Sequence, residues 1–311
     1  MLTSSDIRHL TLESERLSQW TQAANTRAAY ARDWKLFVAW CGETAYPPLP
    51  ATPGAVVLYV TSVLATHKIT TARRYISAIN DAHRAAGYPR PADRELRQLL
   101  EGAERLRCER PRQMQPITVE QLREALRRLQ PDPKGVRNRA ILTLGFGTAL
   151  RRSTLCGLDL ADVAIVEQGV LIAVRKEKQD QKGRGRILAV ARGTNPETCP
   201  LRALEAWLAL RGAAAPGPLF TRIVAGKPTL LRLYNDKVNR IVKAAVKSLG
   251  LDPRKYGAHT LRASFVTAAF AAGCGEILIA RHTGHRSLSS LRRYFRPSDP
   301  WAAKPSARIG L

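Results

Sequence analysis

The stretch from Ala258 to Tyr294 gathers the residues best suited to chemistry. His259 and Arg262 stand three apart in a helical pattern, Gly284 and His285 follow, and Tyr294 closes the stretch. Residues three apart on a helix share a face, so the imidazole and the guanidinium can point at one object. That pair suits an anion. With a phenol brought close to them in a strongly basic chain, the expected target is a phosphate.

The elements that would position these groups are readable. Leu261, Phe265, Val266, Ala269 and Phe270 recur at the spacing of a buried helix, which Gly273 should stop. Glu276 to His282 reads as a second, short helix. Gly284 supplies a tight turn, and Ser287 can cap a last helix carrying Leu288, Leu291 and Tyr294.

His259, Arg262, His285 and Tyr294 resemble, in type and spacing, the HxxR, GH and Tyr motifs of the tyrosine recombinases, or phage-type integrases. Upstream, Gly147 to Leu155, GTALRRSTL, resembles the segment that supplies that family's first catalytic arginine, here Arg151. EKQDQKGRG, residues 177–185, resembles the hairpin that carries the family's catalytic lysine, with Lys178 in the matching position and Lys176 and Lys182 close by. Thr71 to Pro89, TARRYISAINDAHRAAGYP, resembles part of the core-binding domain of Cre-like recombinases, which makes Arg73, Arg74 and Arg84 candidates for DNA contact.

The resemblance implies a mainly α fold with a small antiparallel sheet (α+β). A helical core-binding domain would occupy residues 1–106, a linker 107–116 and a catalytic domain 117–311. It implies a site-specific recombinase that cuts and rejoins double-stranded DNA at a site with inverted half-sites. Four subunits, a homotetramer, would act through a Holliday junction, with accessory DNA-bending proteins as further partners and no cofactor or metal.

The chemistry asked of these residues is specific. A free tyrosine has a pKa near 10, so ionising it at neutral pH costs about 4 kcal/mol. Attack on a phosphodiester also concentrates charge on the non-bridging oxygens. Arg151 and Arg262 can each offer a planar fork to those oxygens, which lysine would not reproduce. His285 can add a third donor, and His259 can donate or help move the tyrosine's proton. The departing 5′ oxygen needs a proton, the role the resemblance gives Lys178. A 3′-phosphotyrosyl bond keeps the energy of the broken diester, so rejoining needs neither ATP nor a metal. Two positions depart from the family pattern. Thr154 stands where an acid is usual, so support for Arg151 or the neighbouring histidine has to come from another group, such as a hydroxyl or water. Ala263 stands where a bulkier or basic residue is also found.

Composition agrees with a polyanion as partner. The 311 residues hold 50 Lys+Arg against 25 Asp+Glu, a net charge of +25, and such an excess makes binding to nucleic acid strong and salt-sensitive. With 45% hydrophobic residues the chain can bury two moderate cores. Five cysteines without CxxC spacing indicate neither a disulfide framework nor a zinc knuckle and fit a reducing compartment. No apolar run reaches spanning length and the start lacks a secretion signal, so the expected location is the cytoplasm, at the nucleoid.

Along the chain, Asn25 or Thr26 should cap a helix with Tyr30, Trp34, Phe37, Val38 and Cys41 inward. Prolines 47, 48, 50 and 53 precede a second helix, Ala55 to Ala65. A third starts at Thr70 or Thr71 and turns Tyr75, Ile76, Ile79 and Ala82 inward. A fourth, Ala92 to Leu106, aligns Leu96, Leu99, Leu100, Ala103 and Leu106. Thr118 to Gln121 is a capping box. Residues 163–166, 170–174 and 187–190 read as three antiparallel strands. Pro200 should open a helix with Trp207 inward, and Asp236 to Leu249 reads as another.

Three other readings compete. A type IB topoisomerase would relax supercoils with a similar site. A basic DNA-binding protein could keep the fold without cleavage. Cys274, His282 and His285 are poor zinc-ligand spacing, with no evident fourth ligand.

Overall fold

The computed structural model describes residues 24–91, 94–108, 113–175, 185–212 and 216–294, besides isolated positions near the start. The chain divides into two compact units, Met1–Pro111 and Arg112–Leu311. No described helix is long and apolar enough to cross a membrane.

The first unit is helical. Helices α1 (Ala24–Thr44), α2 (Pro53–Thr66), α3 (Ile69–Ala85) and α4 (Arg94–Arg107) enclose Phe37, Cys41, Val56, Tyr59, Val60, Ile69, Tyr75, Ile79 and Leu96. Thr52 caps α2 by accepting from the Ala55 amide at 3.3 Å, with Pro53 in the first turn, where a missing N–H costs nothing. His83 fastens the proline-rich turn to α3: its Nε2 accepts from the Ala51 amide at 2.9 Å while Nδ1 donates to the Ile79 carbonyl at 2.8 Å. Three expectations need correction. Asn25 and Thr26 lie inside α1, which already includes Ala24, and so do not cap it. Val38 is 38% exposed and Leu106 is 87% exposed, because the apolar stripe on each helix is narrower than periodicity suggested.

The second unit is built round α6 (Pro133–Thr148), preceded by α5 (Val119–Arg127) and followed by α7 (Arg152–Gly157). The capping box is in place, with the Gln121 amide 3.1 Å from Thr118 Oγ1 and the Thr118 amide 2.9 Å from Gln121 Oε1. Strands β1 (Val163–Val166), β2 (Gly169–Val174) and β3 (Arg186–Ala191) form an antiparallel sheet in that order. Val170 pairs with Val190 and Ile172 with Leu188, which turns these four into the core and leaves Leu171 and Ile187 outside. The β2–β3 turn, with Lys176, Lys178 and Lys182, lies outside the described residues.

Helix α8 (Pro200–Arg211) buries Trp207 against α6, and its indole N–H reaches the Leu219 carbonyl at 2.8 Å. A second hairpin, β4 (Thr221–Val224) and β5 (Lys227–Arg232), was not foreseen. Its turn has φ of 47° at Ala225 and 75° at Gly226, the left-handed pair that suits a two-residue hairpin. Helices α9 (Asn235–Ser248), α10 (Ala258–Ala271), α11 (Glu276–Thr283) and α12 (Leu288–Arg292) complete the unit. Leu261 links α10 to the main core, which also takes in Leu126, Leu144, Phe220 and Val246.

Candidate active site

Helix α10 carries the first pair. Its start is held by α9, where Asn239 Oδ1 accepts from the Ala258 amide at 3.1 Å. Its middle lies so close to α6 that a Cβ on Gly145 would stand 2.7 Å from Leu261 Cδ1. A side chain there would have to displace the tips of Leu261 and Leu155, so the two helices meet closely at this point. Arg262 is 1% exposed and donates from one terminal nitrogen to the Ala149 carbonyl at 2.8 Å.

That contact explains the turn that delivers Arg151. Ala149 is fully buried with φ 51°, a left-handed conformation L residues seldom adopt, and it reverses the chain between α6 and α7. Arg262 holds its carbonyl. Two residues earlier His282 Nε2 donates to the Gly147 carbonyl at 2.8 Å, while the His282 ring stacks on Phe265 at 4.4 Å. Arg186, at the base of β3, donates to the His282 carbonyl at 2.8 Å. Arg151 follows the turn as the last extended residue before α7.

The second histidine and the tyrosine arrive through α11 and α12. Gly284 ends α11 with φ 70°, and the His285 amide returns to the Ala280 carbonyl at 3.0 Å. Ser287 then caps α12, accepting from the Ser290 amide at 3.2 Å. Tyr294 stands just beyond the last helical residue, Arg292, and not within the helix. Its amide bonds the Leu291 carbonyl at 2.9 Å, and Leu291 is fully buried, so the tyrosine is anchored at its backbone.

The structure therefore brings together His259, Arg262, His285 and Tyr294. Tyr294 Oη lies 2.5 Å from His259 Nε2, and the Tyr294 ring centroid is 5.5 Å from that of each histidine. Arg262 donates from its other terminal nitrogen toward His285 Nε2 at 3.1 Å. His285 Nδ1 is 2.6 Å from Thr283 Oγ1. Thr154 is partly buried in α7.

The field at the site is positive. His259 keeps an exposed edge, yet loss of solvent round its ring holds its pKa below the ordinary 6.5, and Arg262 and Arg151 push the same way. His285 is pushed down to about 3 by burial first, then by Arg262, Arg151 and His259. Both imidazoles are neutral at pH 7. A neutral ring beside a phenol can accept its proton.

Arg73, Arg74 and Arg84 belong to the other unit, where each meets a carboxylate. Arg74 grips Asp33, itself 1% exposed, with Nε at 2.5 Å and a terminal nitrogen at 3.2 Å. Arg73 reaches Glu104 at 2.7 Å and Arg84 reaches Asp81 at 3.6 Å. Thr283, His282 and Ala149 were missed as site residues. The one available signal was the departure at Thr154, which called for support from another group, such as a hydroxyl or water.

A buried arginine, two neutral imidazoles and a phenol, set on a helical unit with a three-stranded sheet, have the form of a DNA breaking and rejoining site, and residues 113–300 match the model of the phage integrase family. The chain belongs to that family and is an enzyme of the tyrosine recombinase class. An integrase/recombinase xerD homolog of Selenomonas ruminantium is 34% identical over 294 residues, 92% of this chain and 85% of that protein. Tyrosine recombinase XerC of Myxococcus xanthus is 32% identical over 180 residues, 53% of this chain and 52% of its own. Among solved structures, the Tn1549 transposon integrase with circular intermediate DNA shares the fold over 96% of this chain and 97% of its own, with TM-score 0.66 and 17% identity. A lambda integrase dimer bound to a COC′ core site does so over 94% and 95%, with TM-score 0.59 and 17% identity.

Proposed function

We propose that this recombinase cuts and rejoins double-stranded DNA through a 3′-phosphotyrosyl bond formed by Tyr294. The observation that carries the reading is the 2.5 Å contact between Tyr294 Oη and His259 Nε2, beside a buried arginine. The phenol's proton passes to neutral His259, Oη bonds to phosphorus, and the bond from phosphorus to the 5′ oxygen breaks. Arg151 and Arg262 stabilise the charge gathering on the non-bridging oxygens. Lys178 supplies the proton that the leaving 5′ oxygen takes. Attack of a 5′ hydroxyl on the phosphotyrosine reverses the step with a new partner strand, so the reaction is nearly isoenergetic.

Residues 117–311 are the catalytic domain and residues 1–106 the helical domain that grips DNA, with residues 107–116 as linker. Arg73 and Arg84, with side chains 54% and 65% exposed, can turn to phosphates; Arg74 is tied to Asp33. Four copies would pair two sites with inverted half-sites and pass through a Holliday junction, aided by DNA-bending proteins. The net charge of +25 supports a nucleic-acid partner, and with it a place at the nucleoid in the cytoplasm.

The test is covalent capture. DNA recovered from cells under denaturing conditions should remain attached to the protein through a 3′ phosphate, and Tyr294→Phe should abolish the adduct. Its sequence would identify the site. An adduct that persists in Tyr294→Phe, or none in the wild type, overturns the reading.

A further inference from the structure

The last carbonyls of a helix have no partner within it, and at the end of α6 they stand just before Arg151. Gly147, next to last in that helix, offers one of them. A carbonyl can only accept, so the ring atom 2.8 Å from it, His282 Nε2, carries a hydrogen. Burial, reinforced by Arg186 and Arg262, outweighs the bond to Gly147 and holds the His282 pKa below 6.5. At pH 7 the ring is therefore neutral, with its one N–H at Nε2.

That ring is fixed where it stands. One face lies on Phe265 of α10, with 4.4 Å between centroids and 14° between planes. The carbonyl of the same residue accepts from Arg186 of β3 at 2.8 Å. Gly147 is closely packed in turn: a Cβ there would stand 3.2 Å from Pro200 Cγ at the head of α8 and 3.2 Å from Val190 Cγ1 on β3. Between Gly147 and Arg151 the chain passes through Ala149, whose left-handed φ of 51° an L residue keeps only where its surroundings hold it. The Arg262 guanidinium holds the Ala149 carbonyl, and the His282 imidazole holds the chain two residues upstream.

We propose that His282 is a positioning residue for Arg151: its Nε2–H clamps the Gly147 carbonyl and so holds the left-handed turn that carries the Arg151 fork to the scissile phosphate. This rests on the catalytic reading above and adds a residue to it. His282 acts on the phosphate only through the backbone of the turn between α6 and α7. A guanidinium aligned before substrate arrives loses less entropy on meeting the transition state, and a small misplacement of it is costly.

Two carboxamides separate this role from mere filling of space. The amide nitrogen of glutamine reaches about as far along the side chain as Nε2 of histidine, whereas that of asparagine stops near the place of Nδ1. Glutamine can therefore replace the donor to Gly147, and asparagine cannot. Leucine fills the volume and donates nothing.

In single-turnover cleavage of DNA recovered with the protein, His282→Leu and His282→Asn should each lower the rate about 10- to 100-fold with DNA affinity unchanged, and His282→Gln should stay within about threefold of the wild type. With Arg151→Ala already in place, His282→Leu should cost less than about twofold more, because no fork remains to misplace. Histidine-selective 15N labelling of the intact protein without DNA should show the His282 ring, assigned by its loss in His282→Gln, protonated at Nε2 at pH 7. A ring protonated at Nδ1, a glutamine variant as slow as leucine, or a leucine loss as large without Arg151 as with it overturns the proposal. The glutamine and asparagine rates decide the matter by themselves if the leucine variant does not fold. Absence of any wild-type adduct overturns the catalytic reading and this proposal with it, whereas a normal adduct with an unimpaired leucine variant overturns this proposal alone.

Discussion

The arginines of α3 and the arginine of α10 are the same side chain put to opposite uses. In the helical unit Arg74 lies on the carboxylate of Asp33, and Arg73 and Arg84 meet Glu104 and Asp81, so each guanidinium is matched by an acid of its own chain. In the Arg112–Leu311 unit Arg262 donates to a backbone carbonyl and to a neutral imidazole. Both of these acceptors are uncharged, and they orient the fork. A carboxylate would hold an arginine as firmly and cancel the field an incoming phosphate needs. An arginine's partner, more than its exposure, separates a structural staple from a poised cation: Arg262 is far more deeply buried than Arg74.

The contrast can be broken most severely at Arg262. Arg262→Lys keeps the charge and loses the fork, so the cleavage rate should fall about 100- to 1,000-fold in single-turnover assays, with DNA affinity little changed. A loss under threefold would mean that the charge alone suffices.

Next comes the neutral imidazole at the tyrosine. In the proposed step His259 must be unprotonated to take the proton of Tyr294, and its pKa is held below 6.5 by burial and by Arg262 and Arg151. Lowering the pH through that value protonates it. The wild-type rate should therefore stay level on descending through pH 6.5 and then fall about tenfold per further unit, with a midpoint below 6.5. A rate that rises as the pH falls would make His259 an acid.

At the third level the staple itself is removed. Arg74→Ala leaves Asp33 buried with Arg32, 3.1 Å away, as its remaining ion-pair partner among the described residues, and should destabilise the helical unit by about 1–3 kcal/mol in denaturant unfolding. That range is set below the fully buried value because Arg74 keeps 39% of its side chain in solvent. Unchanged stability would place Arg74 with the substrate-facing cations. The smallest stability effect belongs to Arg84→Ala, whose 3.6 Å pair within one helix is worth less than about 0.5 kcal/mol. If that residue meets a phosphate, the salt dependence of DNA binding should lose about one unit of slope.

Much of the architecture was legible because local chemistry decides it. The Thr118–Gln121 box, Pro200 in a first turn and the β-branched runs at 163–166 and 170–174 all act within a few residues of themselves. The β4–β5 hairpin escaped notice for the converse reason. Leu230 and Leu231 are adjacent and both exposed, so no alternation marks the strand, and Ala225 takes a left-handed turn position where Asn or Gly would have announced it.

The candidate site divides along the same line. The identities and spacing of Arg151, His259, Arg262, His285 and Tyr294 are properties of the sequence, because transfer at phosphorus needs a nucleophile, a proton acceptor and planar cations whatever scaffold carries them. What each group does for the next was decided only by the tertiary structure. Arg262 meets a carbonyl at Ala149, His285 faces a hydroxyl at Thr283, and the arginines of α3 find carboxylates on other turns and helices. The direction of a hydrogen bond depends on the atom at its far end, and only folding chooses that atom.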